Sequence, residues 1–480
     1  MNDATMHDAT MHDAAISPTR SNRPALVYGI ALAGHALAVQ LVRRGWRVLI
    51  ADDAPTDTKR ALAAALGTTL VEAPEAGVIA RMVGEADMVC PAPGVPETHP
   101  VVAAALAAGK PLRTEIDLAY EWEQRRPGGP RPMLAVTGTD GKTTTTFLAA
   151  HMLEAAGHRV AAVGNTEVPL VAALDDDVDV FVVECSSFRL NWLDSFRAEA
   201  SVWLNLAPDH QNWHTSMSSY EAAKSRLWAH RRPSDVAIGF ADDAVVMRNL
   251  CAAGGVTRTF AAANADYQID GPNLVGPAGV IAPIAGMTRA LPHDLTNALA
   301  AAALVLESGL ATAAHVQQAL ATFRHPPHRI EPLGSVGGVR WFNDSKATTP
   351  HAALTAIRGF DRVVLLAGGL NKGLDLASLA IEHARVKAVV GLGKAAAEVT
   401  GPFQQYCPTR IAGSMAEAVD LAAALAEPGD VVLLSPACAS FDWYPAGGYP
   451  ARGEDFKQLV QALADAEHGA GVAGEKGGLS

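Results

Sequence analysis

One run, Met133–Phe147, constrains the fold of this chain more than any other: Met-Leu-Ala-Val-Thr-Gly-Thr-Asp-Gly-Lys-Thr-Thr-Thr-Thr-Phe. Strand-compatible residues feed a loop with Gly138 and Gly141, and Lys142 and Thr143 then open an apolar-periodic stretch through Leu148, Met152 and Leu153. A strand that turns through glycines into a helix is the grammar of a phosphate site. Glycines let backbone N–H groups approach oxyanions, the helix N-terminus supplies roughly half a positive charge, a lysine adds a full one, and a threonine hydroxyl can ligate Mg²⁺. The longer G-x-x-x-x-G-K-[ST] pattern would place glycine where Val136 stands, so this is the shorter form T-G-T-D-G-K-T. The bland alternative is a strand-to-helix turn with a capping threonine.

With 480 residues the chain exceeds one core and divides into several domains. A hydrophobic content of 49% with 18% charged residues describes a globular enzyme. Its apolar runs are too short and alanine-rich for a membrane span. The net charge of −12 argues against nucleic acid, whose binding needs clustered Lys and Arg. Five cysteines, Cys90, Cys185, Cys251, Cys407 and Cys438, have no metal-ligand spacing and fit a reduced, cytoplasmic setting. No partner protein is implied, and a monomer is the expectation.

Residues 1–22 contain the near-repeat Asp-Ala-Thr-Met-His and read as a disordered extension, as does the Gly-rich tail 468–480. From Pro24 to Asp53 the pattern is strand, turn, helix, strand, a Rossmann-like opening. Gly29-x-x-x-x-Gly34 lacks the middle glycine of the dinucleotide fingerprint and reads as helix packing rather than an NAD site. The strand ending at Cys90 runs into the loop Pro91-Ala92-Pro93-Gly94. Beyond the phosphate loop, one strand ends in Gly164-Asn165, a second ends on Glu184, and a third stops at Ala207-Pro208-Asp209-His210. Glu184 is a magnesium candidate or a helix-capping acid; His210 is a ligand or an ordinary surface or core histidine; Lys224, on a helix over 219–230, reads locally as a solvated lysine. The segment 232–287 reads as a small β region. His325-Pro326-Pro327-His328-Arg329 marks a boundary, after which βα alternation restarts.

In order along the chain stand TGTDGKTTT, GNTEVPL, VVECSSFRL, NLAPDH, YEAAKSRLW, HDLTNALAAA, PPHRIE, WFNDSKATTP, AGGLNKG, LLSPACASFDWY and ARGEDF, spanning Gly29 to Phe456 with the N-terminal block. This ordered set resembles the ATP-dependent Mur ligases of peptidoglycan synthesis, and within them the branch that adds glutamate. The resemblance implies an α/β protein of three domains: a Rossmann-like domain over 23–112 for the UDP part of the substrate, a central P-loop ATPase-type domain over 113–327 with a mixed sheet and a small β region, and a Rossmann-like domain over 328–467 for the amino acid. The implied reaction joins UDP-N-acetylmuramoyl-L-alanine to D-glutamate at the expense of ATP, through an acyl phosphate.

The family pattern also implies roles. Lys142, His210 and Lys224 would be catalytic, with Lys224 carrying a CO₂-derived carbamate. Thr143, Glu184, His210 and Lys224 would hold Mg²⁺, of which two ions are expected. ATP would meet Gly138, Thr139, Asp140, Gly141, Lys142, Thr143, Thr144, Asn297, Arg329 and Asp344. The UDP substrate would meet Asp52, Asp53, Pro93, Gly94 and Asn165, and glutamate would meet Lys346, Thr348, Lys372, Ser440 and Tyr449.

Three departures stand out. Asp140 replaces the Asn of many relatives and sets a negative charge beside the triphosphate, to be met within the loop or by a neighbouring cation. Ala92 replaces a serine of the usual Ser-Pro-Gly turn, and Pro445–Pro450 blurs the register of Tyr449. The alternatives are a paralogue that adds another amino acid (L-glutamate included), a folylpolyglutamate-synthase-like ligase, and a non-catalytic nucleotide-binding scaffold.

Overall fold

The computed structural model describes the backbone of residues 23–475 and the side chains of residues 23–467. The extension 1–22 lies outside the described residues. The last helix, Gly448–Glu475, continues into the segment read as a tail, and 476–480 lie outside. Contacts divide the chain into two units, one comprising residues up to Val95 with His99–Glu115, the other Pro96–Thr98 with everything from Ile116.

The first unit is a four-stranded sheet of β1 (Pro24–Tyr28), β2 (Arg47–Asp52), β3 (Leu70–Glu72) and β4 (Met88–Pro91), in the order β3-β2-β1-β4. All its pairings are parallel. Parallel strands need crossovers, and the helices Leu32–Arg43, Asp57–Ala65 and Ala76–Glu85 supply them. A Cβ on Gly34 would stand 1.9 Å from the carbonyl oxygen of Gly29, so this glycine serves close helix-on-turn packing. The strand order reverses between β1 and β4, which opens a crevice at the carboxyl ends.

The second unit holds three sheets. Its central sheet comprises β5 (Met133–Thr137), β6 (Val160–Gly164), β7 (Val180–Glu184), β8 (Ala200–Trp203), β9 (Val236–Phe240) and β10 (Val256–Phe260), ordered β10-β9-β8-β5-β7-β6. Every pairing in it is parallel, so the expected mixed central sheet is corrected. A separate three-stranded sheet of β11 (Gln268–Asp270), β12 (Asn273–Gly276) and β13 (Gly279–Pro283) is antiparallel throughout. The β region expected over 232–287 therefore splits. Its first two strands, bridged by the helix Ala244–Ala253, extend the central sheet, and only its end forms the small one.

The helix Pro292–Glu307 packs against the helix Lys142–Ala155, and its residues Ala298 to Val305 are all fully buried. A helix that is apolar all round has neighbours on every side, which is the physical sense of its alanine run. Small side chains also allow close approach of the sheet.

The last sheet runs β14-β15-β19-β16-β17-β18, from β14 (Glu331–Val336), β15 (Val339–Asn343), β16 (Val363–Gly368), β17 (Val386–Leu392), β18 (Thr409–Ile411) and β19 (Val431–Leu434). Only the edge hairpin of β14 with β15 is antiparallel, so the mixed sheet of the protein is this one. The core of the central sheet ends at Phe323, and the cores on the two faces of the last sheet begin at Ile330 and Val339. Among the described residues no helix is long and apolar enough to cross a membrane.

Arg131 ties the chain down just before β5. Its Nη2 donates to Glu123 Oε2 at 2.7 Å and Nε to Oε1 at 2.9 Å, with side-chain exposures of 6% and 2%. Removing the carboxylate strands a buried guanidinium. Glu123→Ala is expected to destabilise the second unit by about 3–5 kcal/mol, read as a lower denaturant midpoint, whereas breaking a surface pair such as Arg60–Asp57 should leave the midpoint nearly unchanged.

Candidate active site

The loop between β5 and the helix Lys142–Ala155 lies at the carboxyl edge of the central sheet, where a buried parallel strand exposes its last residues to a helix N-terminus. Gly141 is the helix N-cap with φ +82°, and a Cβ there would also come within 2.7 Å of Asn297 Oδ1. Only glycine satisfies both conditions. The loop is held from the next strand. Asn205, just past β8, accepts the Thr139 N–H at 2.8 Å and the Asp140 N–H at 2.9 Å on Oδ1, and its Nδ2 donates back to the Asp140 carbonyl at 3.2 Å. Lys142 Nζ turns onto the Thr139 carbonyl at 2.7 Å, and the Thr139 hydroxyl lies 3.1 Å from that of Tyr220.

Beneath the loop lies Lys224. It rides the helix Met217–Ser225, started by a Ser216 capping box, and it is 1% exposed rather than solvated. Nζ donates to the Gly138 carbonyl at 2.6 Å and sits 4.7 Å from the Tyr220 ring centre. Burial, and then the charge of Lys142, push its pKa well below the ordinary lysine value. The ammonium form is thereby disfavoured relative to the neutral amine.

Two further groups face the same region. His210 has a left-handed backbone, φ +56°, and packs edge-on to Phe188. Burial, then Lys142 and Lys224, push its pKa down to about 3, so its imidazole is neutral with a lone pair available. Glu184 ends β7 at 1% exposure; Oε1 accepts from Asn165 Nδ2 at 2.9 Å, while Oε2 is buried with no hydrogen-bond partner among the described residues. Asn165 Oδ1 in turn accepts from Arg189 at 2.6 Å. No group of three or more His, Cys, Asp or Glu among the described residues has metal-holding geometry; of the four expected ligands, only Glu184 and His210 are of those types.

A cavity of about 610 Å³ opens beside the loop. Asp140, Gly141, Thr144, Asn297, Arg329 and Asp344, six residues expected at ATP, line it together. Gly138, Thr139, Lys142 and Thr143 are not in its wall. Asp344 accepts from the Ser435 hydroxyl at 2.7 Å and the Ile330 N–H at 3.2 Å, and burial raises its pKa to about 7 against those bonds. Lys346, expected at glutamate, also lines the cavity; its Nζ receives no carboxylate but donates to the Tyr449 hydroxyl at 2.6 Å, and the Tyr449 ring centre is 4.3 Å away. Thr348 precedes the helix Pro350–Ile357, Lys372 is exposed near Phe441, and Ser440 is buried; these three do not line the cavity. The charge of Lys372 nonetheless reaches His210.

In the first unit, Asp52 ends β2 fully engaged: it accepts from Ile30 N at 2.8 Å, Ala54 N at 2.9 Å and Lys59 Nζ at 2.7 Å. It braces the turn. Asp53 accepts from the Tyr28 hydroxyl at 2.5 Å and meets His99 Nε2 at 2.9 Å. Pro93 and Gly94 follow β4 on the same edge. Asn165 belongs to the second unit.

Sequence reasoning missed Asn205, His293 and His351. Asn205 sits in the quoted motif NLAPDH, but nothing local says that its side chain faces the loop. His293 lines the cavity with neither ring nitrogen hydrogen-bonded among the described residues. His351 meets Asp140, with Nδ1 2.5 Å from Oδ2. The acid in a phosphate loop was the only hint that a cation had to be nearby.

A glycine loop opening a helix at the edge of a parallel sheet, a cavity beside it and a buried lysine beneath it define a multi-sheet α/β enzyme of the nucleotide-using kind. The chain belongs to the Mur ligase family. Its residues 136–305 match the Mur ligase middle domain and residues 328–438 the Mur ligase glutamate ligase domain. It is 40% identical to a UDP-N-acetylmuramoylalanine--D-glutamate ligase of Frankia casuarinae over 92% of this chain and 94% of that one. A protein of the same name from Mycolicibacterium vanbaalenii is 34% identical over 93% and 99%. Among solved structures, a MurF ligase from Thermotoga maritima in complex with ADP covers 94% of this chain and 97% of its own, with a TM-score of 0.60 at 14% identity, a likeness of fold.

Because the Asn205 side-chain oxygen accepts the Asp140 N–H, whereas the Thr139 N–H is shared with the Asn205 main-chain carbonyl at 3.1 Å, Asn205→Ala should speed hydrogen exchange at Asp140 on the order of tenfold or more, with Thr139 less affected and amides of β5 unaffected. Equal protection in the variant would mean that the backbone holds the loop unaided.

Proposed function

We propose that this chain is the ATP-dependent ligase that forms the amide bond between UDP-N-acetylmuramoyl-L-alanine and D-glutamate, releasing ADP and phosphate, in peptidoglycan synthesis. The observation that carries the substrates is the 40% identity, over nearly the full length of both chains, to a relative named for that reaction. The geometry supports the chemistry. The parallel sheet of the first unit, Rossmann-like in its order, would take the UDP part at Asp53, Pro93 and Gly94, with Asp52 bracing the turn. The P-loop-type sheet would take ATP, and the last sheet the amino acid.

The reaction has two displacements. The L-alanyl carboxylate attacks the γ-phosphorus of ATP, ADP leaves, and the glutamate amine then attacks the acyl carbonyl and expels phosphate. Every reactant is an anion, so the protein's work is charge neutralisation and alignment. Loop amides and Lys142 would meet the phosphates, Asn297 and His293 the base, and Asp344 the ribose. Lys346, Lys372, Thr348, Ser440 and Tyr449 would meet the carboxylates of glutamate, and Asn165, oriented by Arg189, the alanyl end.

The residues also fit a divalent cation. Glu184 Oε2 is a buried oxygen without a partner among the described residues, and His210 is neutral. Thr143, Glu184, His210 and a carbamylated Lys224 would hold Mg²⁺, which when bound neutralises phosphate charge. The buried amine of Lys224 suits carbamylation, since a neutral amine adds to CO₂ and loses one proton to give an anionic oxygen donor.

The test is phosphate release from ATP. Release is expected only with both UDP-N-acetylmuramoyl-L-alanine and D-glutamate present; stimulation by meso-diaminopimelate, L-lysine or L-glutamate instead would replace the amino acid in this reading. Lys224→Ala should lose on the order of 10² or more in rate, and short carboxylic acids should restore part of it. Undiminished activity in that variant would remove the carbamate.

A further inference from the structure

The phosphate loop carries its own negative charge. Asp140 stands one residue before the glycine that opens the helix, on the wall of the 610 Å³ cavity. A carboxylate there repels a triphosphate. Its Oδ2, however, lies 2.5 Å from Nδ1 of His351, which lines the same cavity from the first turn of the helix Pro350–Ile357. The pair joins the loop on the central sheet to the first helix after β15, so the element expected to carry the amino acid also completes the charge balance of the loop.

The surroundings of both partners favour the ionised pair. Burial opposes the charge on Asp140, but His351 first, then Lys142 and Arg329, hold its carboxyl below the ordinary value; Asp209, Tyr220 and Lys224 also interact with it electrostatically. Burial likewise opposes a charge on His351, and Arg358 adds to that, but the hydrogen bond and charge of Asp140, with a smaller contribution from Asp243, outweigh both and raise the imidazole above its usual value. The short contact and both shifts favour the ionised pair, Asp140⁻ with His351⁺.

We propose that protonated His351 is an affinity-determining residue for ATP: it cancels the carboxylate of Asp140 at the cavity wall, so that a phosphate loop with an aspartate can hold an anionic nucleotide. The inference rests on the reading of this cavity as the ATP site. It has a definite sign. His351 is protonated below its raised pKa, where the pair is neutral as a whole; as pH rises through that value the proton leaves, Asp140 stands uncompensated, and ATP binds more weakly. A unit charge within several ångströms of the phosphates at the effective dielectric of a cavity wall is worth about tenfold in affinity.

The experiment is calorimetric titration of the full chain with Mg-ATP in the absence of the other substrates, between pH 7 and 9.5 at constant free Mg²⁺. The wild type should lose about tenfold in affinity over this range. Asp140→Asn, which has no carboxylate to be cancelled, should lose markedly less affinity over this range, while His351→Gln should bind weakly at pH 7 and change little further. His351→Lys, which keeps the cation beyond pH 9, should remain tight throughout. Titration of ATP itself is common to all four proteins and cancels in the comparison. Parallel pH profiles in the wild type and Asp140→Asn, or His351→Gln binding as tightly as the wild type at pH 7, overturn the proposal. Absence of ATP binding by the wild type at every pH would instead overturn the assignment of the cavity, and thermal melting of each variant separates misfolding from either result.

Discussion

A lysine amine buried against the carbonyl of a phosphate loop is the contact on which the rest of this site depends. Lys224 reaches Gly138 from a helix more than eighty residues further along the chain, and at 1% exposure it has no water to solvate a charge. Taking an ammonium out of water is costly, and that cost favours the neutral amine. The same burial, with Lys142 close by, strips the proton from His210 and leaves Glu184 with one oxygen unpaired among the described residues. One region of low solvation thereby gathers an amine, an imidazole and an unpartnered carboxylate oxygen among the described residues.

The parallel sheet makes that region possible. Strands that run side by side in one direction deliver their carboxyl ends to a single edge, and β5, β7 and β8 deliver the glycine loop, Glu184 and the Asn205–His210 segment to it. A mixed sheet would have sent some of these loops to the opposite side. Segregating the antiparallel strands into a small sheet of their own keeps the edge uniform. The cavity is then walled by residues of two sheets: the loop and Asn297 on one side, Arg329, Asp344 and His351 on the other.

Much of this was legible beforehand. Continuous apolar runs read as buried parallel strands, and the glycine loop, the helix after it and the lysine at its start were correctly ordered from residues alone, because backbone conformation and burial are written locally. Edge elements were harder. Strands β14 and β18 carry half-exposed, unremarkable residues and gave no signal, and the strands of 232–287 could not be assigned to a sheet, since pairing is decided by neighbours distant in sequence. Lys224 shows the limit most clearly. Its helix reads as amphipathic and its lysine as solvated; only the family resemblance singled it out, and only packing buries it.

The sequence by itself determined the α/β class, the place of the glycine loop between β5 and its helix, and the family, because these rest on local patterning and on the order of motifs. Tertiary structure alone decided which side chains complete the site. Asn205 as the clamp of the loop, His293 with its free ring nitrogens among the described residues, and His351 as the cation facing Asp140 depend on contacts across 65, 211 or more positions of chain that no local pattern encodes. Charge balance in a low-dielectric pocket is a property of what folding brings together, and the aspartate in the loop could announce the need for a cation without naming it.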